Sequence, residues 1–326
     1  MERVMTKHDY ALSRRGFCLC CLGGATIAAT GAWLTPREAF AAAKSQVLII
    51  REAAAKAEIA TTKLRGGVNV LGGSGGNVAV VTGKDGKLLV DAGITATRPR
   101  LEKALADIGP EPITHLIDTH WHFDHTDGNE WLNSEGAAIM AHPNTLKRLE
   151  AATRVEDWNF DFPPSPKGAL PTRLMKGDEE TLKLDGKTIR LRYYGPAHTD
   201  SDISVFFEED NVIHVGDTLW TGLYPFIDSS TGGSIDGQIA AAEANIKMID
   251  KKTIVIPGHG DIANREDIKV WLDMLVGARE NVAKMKKAGR SVEETIAANP
   301  TKQWDAKFGQ WVIPPALFTR VVYEGV

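Results

Sequence analysis

Between Thr119 and Gly128 the chain reads THWHFDHTDG, which puts His120, His122, Asp124 and His125 inside six positions. The preceding residues, Ile113 to Asp118, have the composition of a buried strand that delivers the chain directly into this cluster. If the backbone stays extended past the strand, His120 and His122 point the same way, two residues apart. Asp124 and His125 then turn in from the loop that follows. Imidazole nitrogens and carboxylate oxygens converging at a strand end are the donors of a divalent zinc site with three protein ligands and an open position. The alternative, a run of surface histidines, does not account for four ligating side chains in so short a span.

The surrounding pattern alternates strands and helices. Val78–Val81 and Leu88–Val90 are apolar runs joined by GKDGK, a hairpin signal. Arg100 to Ile108 has helical spacing and stops at Gly109-Pro110, and AAIMAH reads as a strand between helical segments at Asn129–Leu132 and Asn144–Leu149. Asp157 to Pro171, with four prolines and three aromatics, reads as a long irregular surface loop. Further strands are expected at 180–184, 187–193, 203–207, 212–215 and 253–257, and amphipathic helices at 235–249 and 265–287, with a capping box opening another at Ser291. No linker separates the two series, so the expectation is one α/β domain of two similar halves.

HWHFDH resembles the H-x-H-x-D-H motif of the metallo-β-lactamase superfamily. Three downstream segments match its remaining ligand positions: PAHTDSD with His198, VIHVGDTLW with Asp217 and VIPGHGD with His259. The residues alone nominate the first cluster and His259 and leave Asp217 open. The resemblance, which covers roughly Leu64 to Asp261, implies a four-layer αβ/βα sandwich and two zinc ions per chain. His120, His122 and His198 would hold one zinc, Asp124, His125 and His259 the other, and Asp217 would bridge them. It also matches Asp91, in LLVDAG, to an aspartate that orients a ligating histidine; a turn-forming aspartate before glycine is the competing reading. His115 and His214 sit in apolar strand patterns and are expected as hydrogen-bonded core histidines, with His142 in a turn before Pro143.

Two zincs sharing a hydroxide would supply a nucleophile at neutral pH, because coordination lowers the pKa of bound water towards about 7. The implied reaction is hydrolysis of an acyl bond, in a β-lactam, lactone, ester or thioester, with Asp124 orienting the hydroxide. Where this chain has Asp217, the β-lactamases usually have cysteine or serine, and aspartate is typical of relatives acting on thioesters, lactones and phosphoesters. The loop after Asp217, LWTGLYPFIDSSTGGSID, starts at a ligand position and is expected to wall the pocket with Trp220, Tyr224 and Phe226, Tyr224 donating a hydrogen bond to substrate. Trp158, Phe160 and Phe162 are expected to form another wall. A mononuclear iron site of the persulfide dioxygenase type and a zinc-binding accessory protein are the alternatives. Seven ligand positions favour two metals over the first, and an open coordination position speaks against the second.

The first 41 residues read as a separate segment. SRRGF runs into a short apolar stretch and ends at Ala39-Phe40-Ala41, the order of a twin-arginine export signal with its cleavage site. All three cysteines, Cys18, Cys20 and Cys21, lie inside it, so a mature chain of residues 42–326 would have neither disulfides nor thiolate chemistry. It would act in the periplasm on a small molecule, free of the membrane. With a net charge of −4, 43% hydrophobic and 25% charged residues, the chain has ordinary globular composition and nothing that suits a nucleic-acid partner. GGSGG at 72–76 lacks the Lys-Ser/Thr of a nucleotide-binding loop and reads as a hairpin connection, and no G-x-S-x-G marks a serine nucleophile.

Overall fold

The computed structural model describes residues 45–184 and 186–326, so the expected export signal lies outside the described residues. Helix α1 (Gln46–Ala54) precedes four antiparallel neighbours, β1 (Ala60–Lys63), β2 (Val68–Gly72), β3 (Val78–Gly83) and β4 (Gly86–Val90). GGSGG connects β2 to β3, and Lys84-Asp85 turns β3 into β4, as the two glycine-rich signals require. Helix α2 (Arg98–Ile108) crosses over to β5 (Ile113–Ile117), which pairs parallel with β4. The metal-motif turn α3 (Phe123–Thr126) and helix α4 (Asn129–Ser134) lead to β6 (Ala138–Ala141), parallel to β5.

After helix α5 (Pro143–Leu149), β7 (Thr153–Val155) pairs with β8 (Phe160–Phe162), which opens the proline-rich segment; residues 163–171 are irregular apart from one short turn, as expected, but Trp158 and Phe162 are buried in the main core and not displayed on a surface loop. Its prolines shape the connections, but its aromatics carry too much apolar area to remain in solvent. Strand β9 (Arg173–Leu174) closes the first sheet, whose order is β1-β2-β3-β4-β5-β6-β9.

The second sheet comprises β10 (Glu179–Leu184), β11 (Lys187–Tyr193), β12 (Ile203–Phe207), β13 (Val212–His214) and β14 (Ile254–Ile256), in that order, antiparallel except for β13 and β14. The crossover between those two is helix α6 (Ile235–Met248), as parallel pairing demands. The long helix α7 (Arg265–Lys287) is opened by a capping box between Asn264 and Asp267. Helices α8 (Val292–Ala297), α9 (Lys302–Phe308) and α10 (Pro315–Glu324) follow, α8 with the expected capping box at Ser291 and Glu294.

Period-two alternation decides which side chains meet. Val68, Val70, Ala79, Val81, Leu88 and Val90 face Ile189, Leu191, Val205 and Phe207 across the two sheets. The intervening residues Leu71, Val78, Val80 and Leu89 face outward onto Leu101, Leu105 and Leu132 of the first helical layer. On the far side Phe206, Ile213 and Val255 pack with Ile268, Trp271, Leu275 and Phe318. The result is the four-layer α/β sandwich, though its halves are unequal, seven strands against five. His214 is buried as expected, Nε2 at 2.8 Å from the Asn77 carbonyl. His115 is only half buried, as are the two residues before it in β5.

Candidate metal centre

The seven nominated ligands arrive from four strand ends. His120, His122, Asp124 and His125 follow β5, His198 follows β11, Asp217 follows β13 and His259 follows β14. All are at least nine-tenths buried, and their donor atoms fall into two groups, each within 4.8 Å: His120, His122, His198 and Asp217, then Asp124, His125 and His259. Asp217 reaches both. Its Oδ2 lies 3.3 Å from His198 Nε2 and 3.5 Å from His259 Nε2, and its Oδ1 lies 3.2 Å from His125 Nε2. Two glycines make this approach possible: a Cβ at Gly76 would overlap the His125 ring, and one at Gly258 would overlap the Asp217 carboxylate.

The hydrogen bonds behind the imidazoles set their tautomers. His125 Nδ1 donates to Asp91 Oδ2 at 2.7 Å, leaving the Nε2 lone pair facing inward. Asp91 also accepts from Thr119 N at 2.7 Å and Thr119 Oγ1 at 2.9 Å. The Thr119 hydroxyl proton is thereby used, so its oxygen accepts from His120 Nδ1 at 3.1 Å and frees His120 Nε2. His198 Nδ1 donates to the Phe226 carbonyl at 2.8 Å. His122 does the reverse: Nε2 donates to Asp228 Oδ2 at 3.0 Å, and Nδ1 faces the cluster. Asp91 adopts φ 66° before Gly93, so both readings of it hold at once: a turn aspartate by backbone, an imidazole orienter by side chain.

Whether a metal pair suits this cage is decided by what is left over. His120 Nε2 and Asp217 Oδ1 are buried without hydrogen-bond partners, and His122 Nδ1 and His198 Nε2, two inward lone pairs, lie 2.8 Å apart. Unpaired buried acceptors are costly unless a cation satisfies them. The electrostatics divide the cage. Burial depresses His198 to about 4 and His120 well below its ordinary value, keeping both neutral as ligands must be. Against the same burial, Asp217, Asp91 and Asp124 raise His125 well above its ordinary value and Asp217 and Asp124 raise His259 to about 9, and these two rings in turn hold the Asp217 carboxyl well below the usual range and bring Asp124 to about 2. A bound cation would release those protons and take over the charge they carry.

The sequence model of the metallo-beta-lactamase superfamily matches residues 71–259, the span that contains all seven side chains. The chain belongs to this superfamily. It is 31% identical over 201 residues to a probable metallo-hydrolase of Methanocaldococcus jannaschii, covering 59% of this chain and 91% of that protein. It is 26% identical over 150 residues to a hydroxyacylglutathione hydrolase of Rhodospirillum rubrum, spanning 45% of this chain but only 48% of that one. Among solved structures, DIM-1 metallo-beta-lactamase superposes with a TM-score of 0.54 at 24% identity, over 68% of this chain and 98% of the other. A sec-alkyl sulfatase reaches 0.64 at 14% identity, over 84% of this chain and about half of its own length. At these identities the two structural likenesses establish the fold. The chain is thus a metallo-beta-lactamase-fold hydrolase with a binuclear metal-binding constellation.

Aromatic rings pack around the ligand histidines. Trp158 lies 4.7 Å from the His122 ring and stacks on Phe226, while Trp220 lies 4.4 Å from His259 and Trp311 lies 5.6 Å from it. Phe162 packs on Trp121 and Phe123 behind that wall, and Phe160 is only partly buried against it. Tyr224 does not take the place expected of it. Its ring is buried between Phe308 and Phe318, and its hydroxyl donates to Asp305 Oδ1 at 2.8 Å, with the Thr301 carbonyl at 3.2 Å. The loop beyond Asp217 turns outward there to meet α9 and α10, so the hydroxyl is used in packing the C-terminal helices.

Asp228 carries no signal in the sequence. Its carboxylate is buried, accepts from His122 Nε2 and from Thr231 Oγ1 at 2.7 Å, and sits 106 positions from the histidine it orients. Nothing in D-S-S-T distinguishes it from an ordinary turn aspartate. Ser74 of the GGSGG loop shares a hydrogen bond with Thr97 Oγ1 and accepts from Ile94 N, which ties that loop to the segment after β4.

Proposed function

We propose that the protein is an exported dinuclear zinc hydrolase that cleaves an acyl bond, cyclic or open, in a small molecule with apolar substituents. The observation that carries this reading is Asp217, a buried carboxylate within 3.5 Å of imidazoles from both ligand groups and with an oxygen still unpaired. Five imidazoles and two carboxylates are a nitrogen and oxygen donor set suited to zinc. Two such ions, when bound, supply Lewis acidity and lower the pKa of water towards about 7. The chain's own residues hold the cage ready: Asp91, Asp228, Thr119 and the Phe226 carbonyl keep four lone pairs turned inward. Asp124, ionised and 3.2 Å from His259 Nε2, would orient the attacking water, a role its charge and position support.

The substrate class is supported by the walls. Trp158, Phe226, Trp220 and Trp311 flank the ligands, and among the described residues Asp124 and Asp217 form ion pairs only with histidines. Aromatic surface beside the ligands suits apolar substituents on the acyl group. Aspartate at 217 favours a thioester, lactone or ester over a β-lactam, in keeping with the hydroxyacylglutathione hydrolase among its relatives. Export rests on the SRRGF segment and the Ala39-Phe40-Ala41 site, and no described helix is long and apolar enough to cross a membrane. The test is elemental analysis of residues 42–326 paired with rates on a penicillin, a carbapenem, an acyl homoserine lactone, a thioester and a phosphodiester. Two zincs with turnover of the lactone or thioester is the expected result; one iron per chain would transfer the protein to oxidative chemistry and end this reading.

A further inference from the structure

Trp220 and His259 are partners in a parallel bridge, with Thr221 N donating to the His259 carbonyl at 2.9 Å. Bridge partners carry their side chains on the same face. The backbone that aims His259 at Asp124 and Asp217 therefore sets the Trp220 indole on the same side, 4.4 Å from the His259 ring and 6.3 Å from the His198 ring. This side chain is 5% exposed, and its Nε1 is shielded from solvent without a hydrogen-bond partner. A buried donor left unpaired is costly, and such a group calls for an acceptor. A metal ion cannot be that acceptor, because an indole N–H only donates.

We propose that Trp220 is a substrate-binding residue whose Nε1–H donates to an oxygen of the acyl substrate, and of the carboxylate it becomes, beside the Asp124, His125 and His259 group. The identity of that oxygen rests on the hydrolase reading; the orphan donor does not. Trp311, brought in by the segment between α9 and α10, lies 5.9 Å from Trp220 and 5.6 Å from His259 and covers this side of the cleft. It belongs to the part of the chain beyond the superfamily match, so the covered donor is a feature of this protein's C-terminal helices. In a water-poor setting a hydrogen bond to a developing anion gains strength. Trp131, whose Nε1 is also unpaired, packs in the outer helical layer under the Arg98 guanidinium and has no such setting.

The experiment is a titration of the zinc-loaded protein, labelled with ¹⁵N at the tryptophan indoles, with benzoate, a carboxylate carrying an apolar ring. Trp220→Phe identifies the cross-peak and keeps an aromatic ring against His259. The expected result is a saturable downfield shift of the Trp220 Nε1–H resonance and benzoate binding at least tenfold weaker in Trp220→Phe at unchanged zinc content. A resonance that stays still at high benzoate, or equal affinity in the variant, overturns the proposal. The titration of the parent protein stands alone if the variant folds poorly. Turnover enters nowhere in this measurement: a shifted indole with no hydrolysis of any panel substrate would keep Trp220 and sink the hydrolase reading, and hydrolysis with a silent indole would do the reverse.

Discussion

Replacing Asp228 with alanine removes a side chain that touches no nominated metal position except through His122. In the native arrangement Asp228 Oδ2 accepts hydrogen bonds from His122 Nε2 at 3.0 Å and from the Thr231 hydroxyl at 2.7 Å, and the carboxylate is fully buried. Without it, His122 can place its proton on either nitrogen, and the ring, flanked by Trp158 at 4.7 Å, loses the contact that fixes its rotation. Carboxylates that orient a metal-bound imidazole are worth roughly 10–100-fold in metal affinity, which is about 1.4–2.7 kcal/mol. The loss should fall on one ion only, because Asp124, His125 and His259 are held through Asp91 and neighbouring carboxylates on the other side of Asp217. Chelator competition at fixed pH, followed by metal analysis, should show one tight and one weakened site. Two sites of native affinity would refute the assignment of Asp228. Equal weakening of both would show that His122 does not report on a separable site.

Tyr224→Phe should leave catalytic constants on the true substrate unchanged while lowering unfolding free energy by about 0.5–1.5 kcal/mol, since the hydroxyl bonds Asp305 and the Thr301 carbonyl. Denaturant titration and kinetics on the same sample check both halves; a large fall in turnover at unchanged stability would restore Tyr224 to the cleft. Burial, with Glu324 nearby, raises the Asp157 carboxyl to about 6 against the opposing Arg320. Its folded value exceeds its unfolded one, so stability declines as pH rises from about 4 through 6 and stays lower above, by up to about 3 kcal/mol. Asp157→Asn should therefore stabilise the protein at pH 7.5 and change little at pH 4; equal effects at the two pH values in urea unfolding would contradict this.

Periodicity and local chemistry made much of the fold legible. The strands at 187–193 and 203–207 and the helix at 265–287 occupy the residues their patterns predict, because alternation and 3.6-residue spacing are properties of a segment by itself. The Asp157–Pro171 segment misled for the same reason: prolines advertise a loop locally, whereas the burial of Trp158 depends on His122 and Phe226, far away in the chain. Tyr224 was misplaced because adjacency to Asp217 says where a loop begins and nothing of which way it turns.

The short motif at His120–His125 carried its chemistry in its own spacing, and with it the expectation of a metal at a strand end. What tertiary structure alone decided is how that chemistry is held. Asp228 is joined to His122 across 106 positions, His259 is set beside Trp220 by a bridge between two loops, and Trp311 comes from a segment beyond the superfamily match. Hydrogen bonds and aromatic packing act over a few ångströms in space and leave no period or spacing along the chain. Their donors and rings were all visible as letters, and only the fold determined which of them would meet.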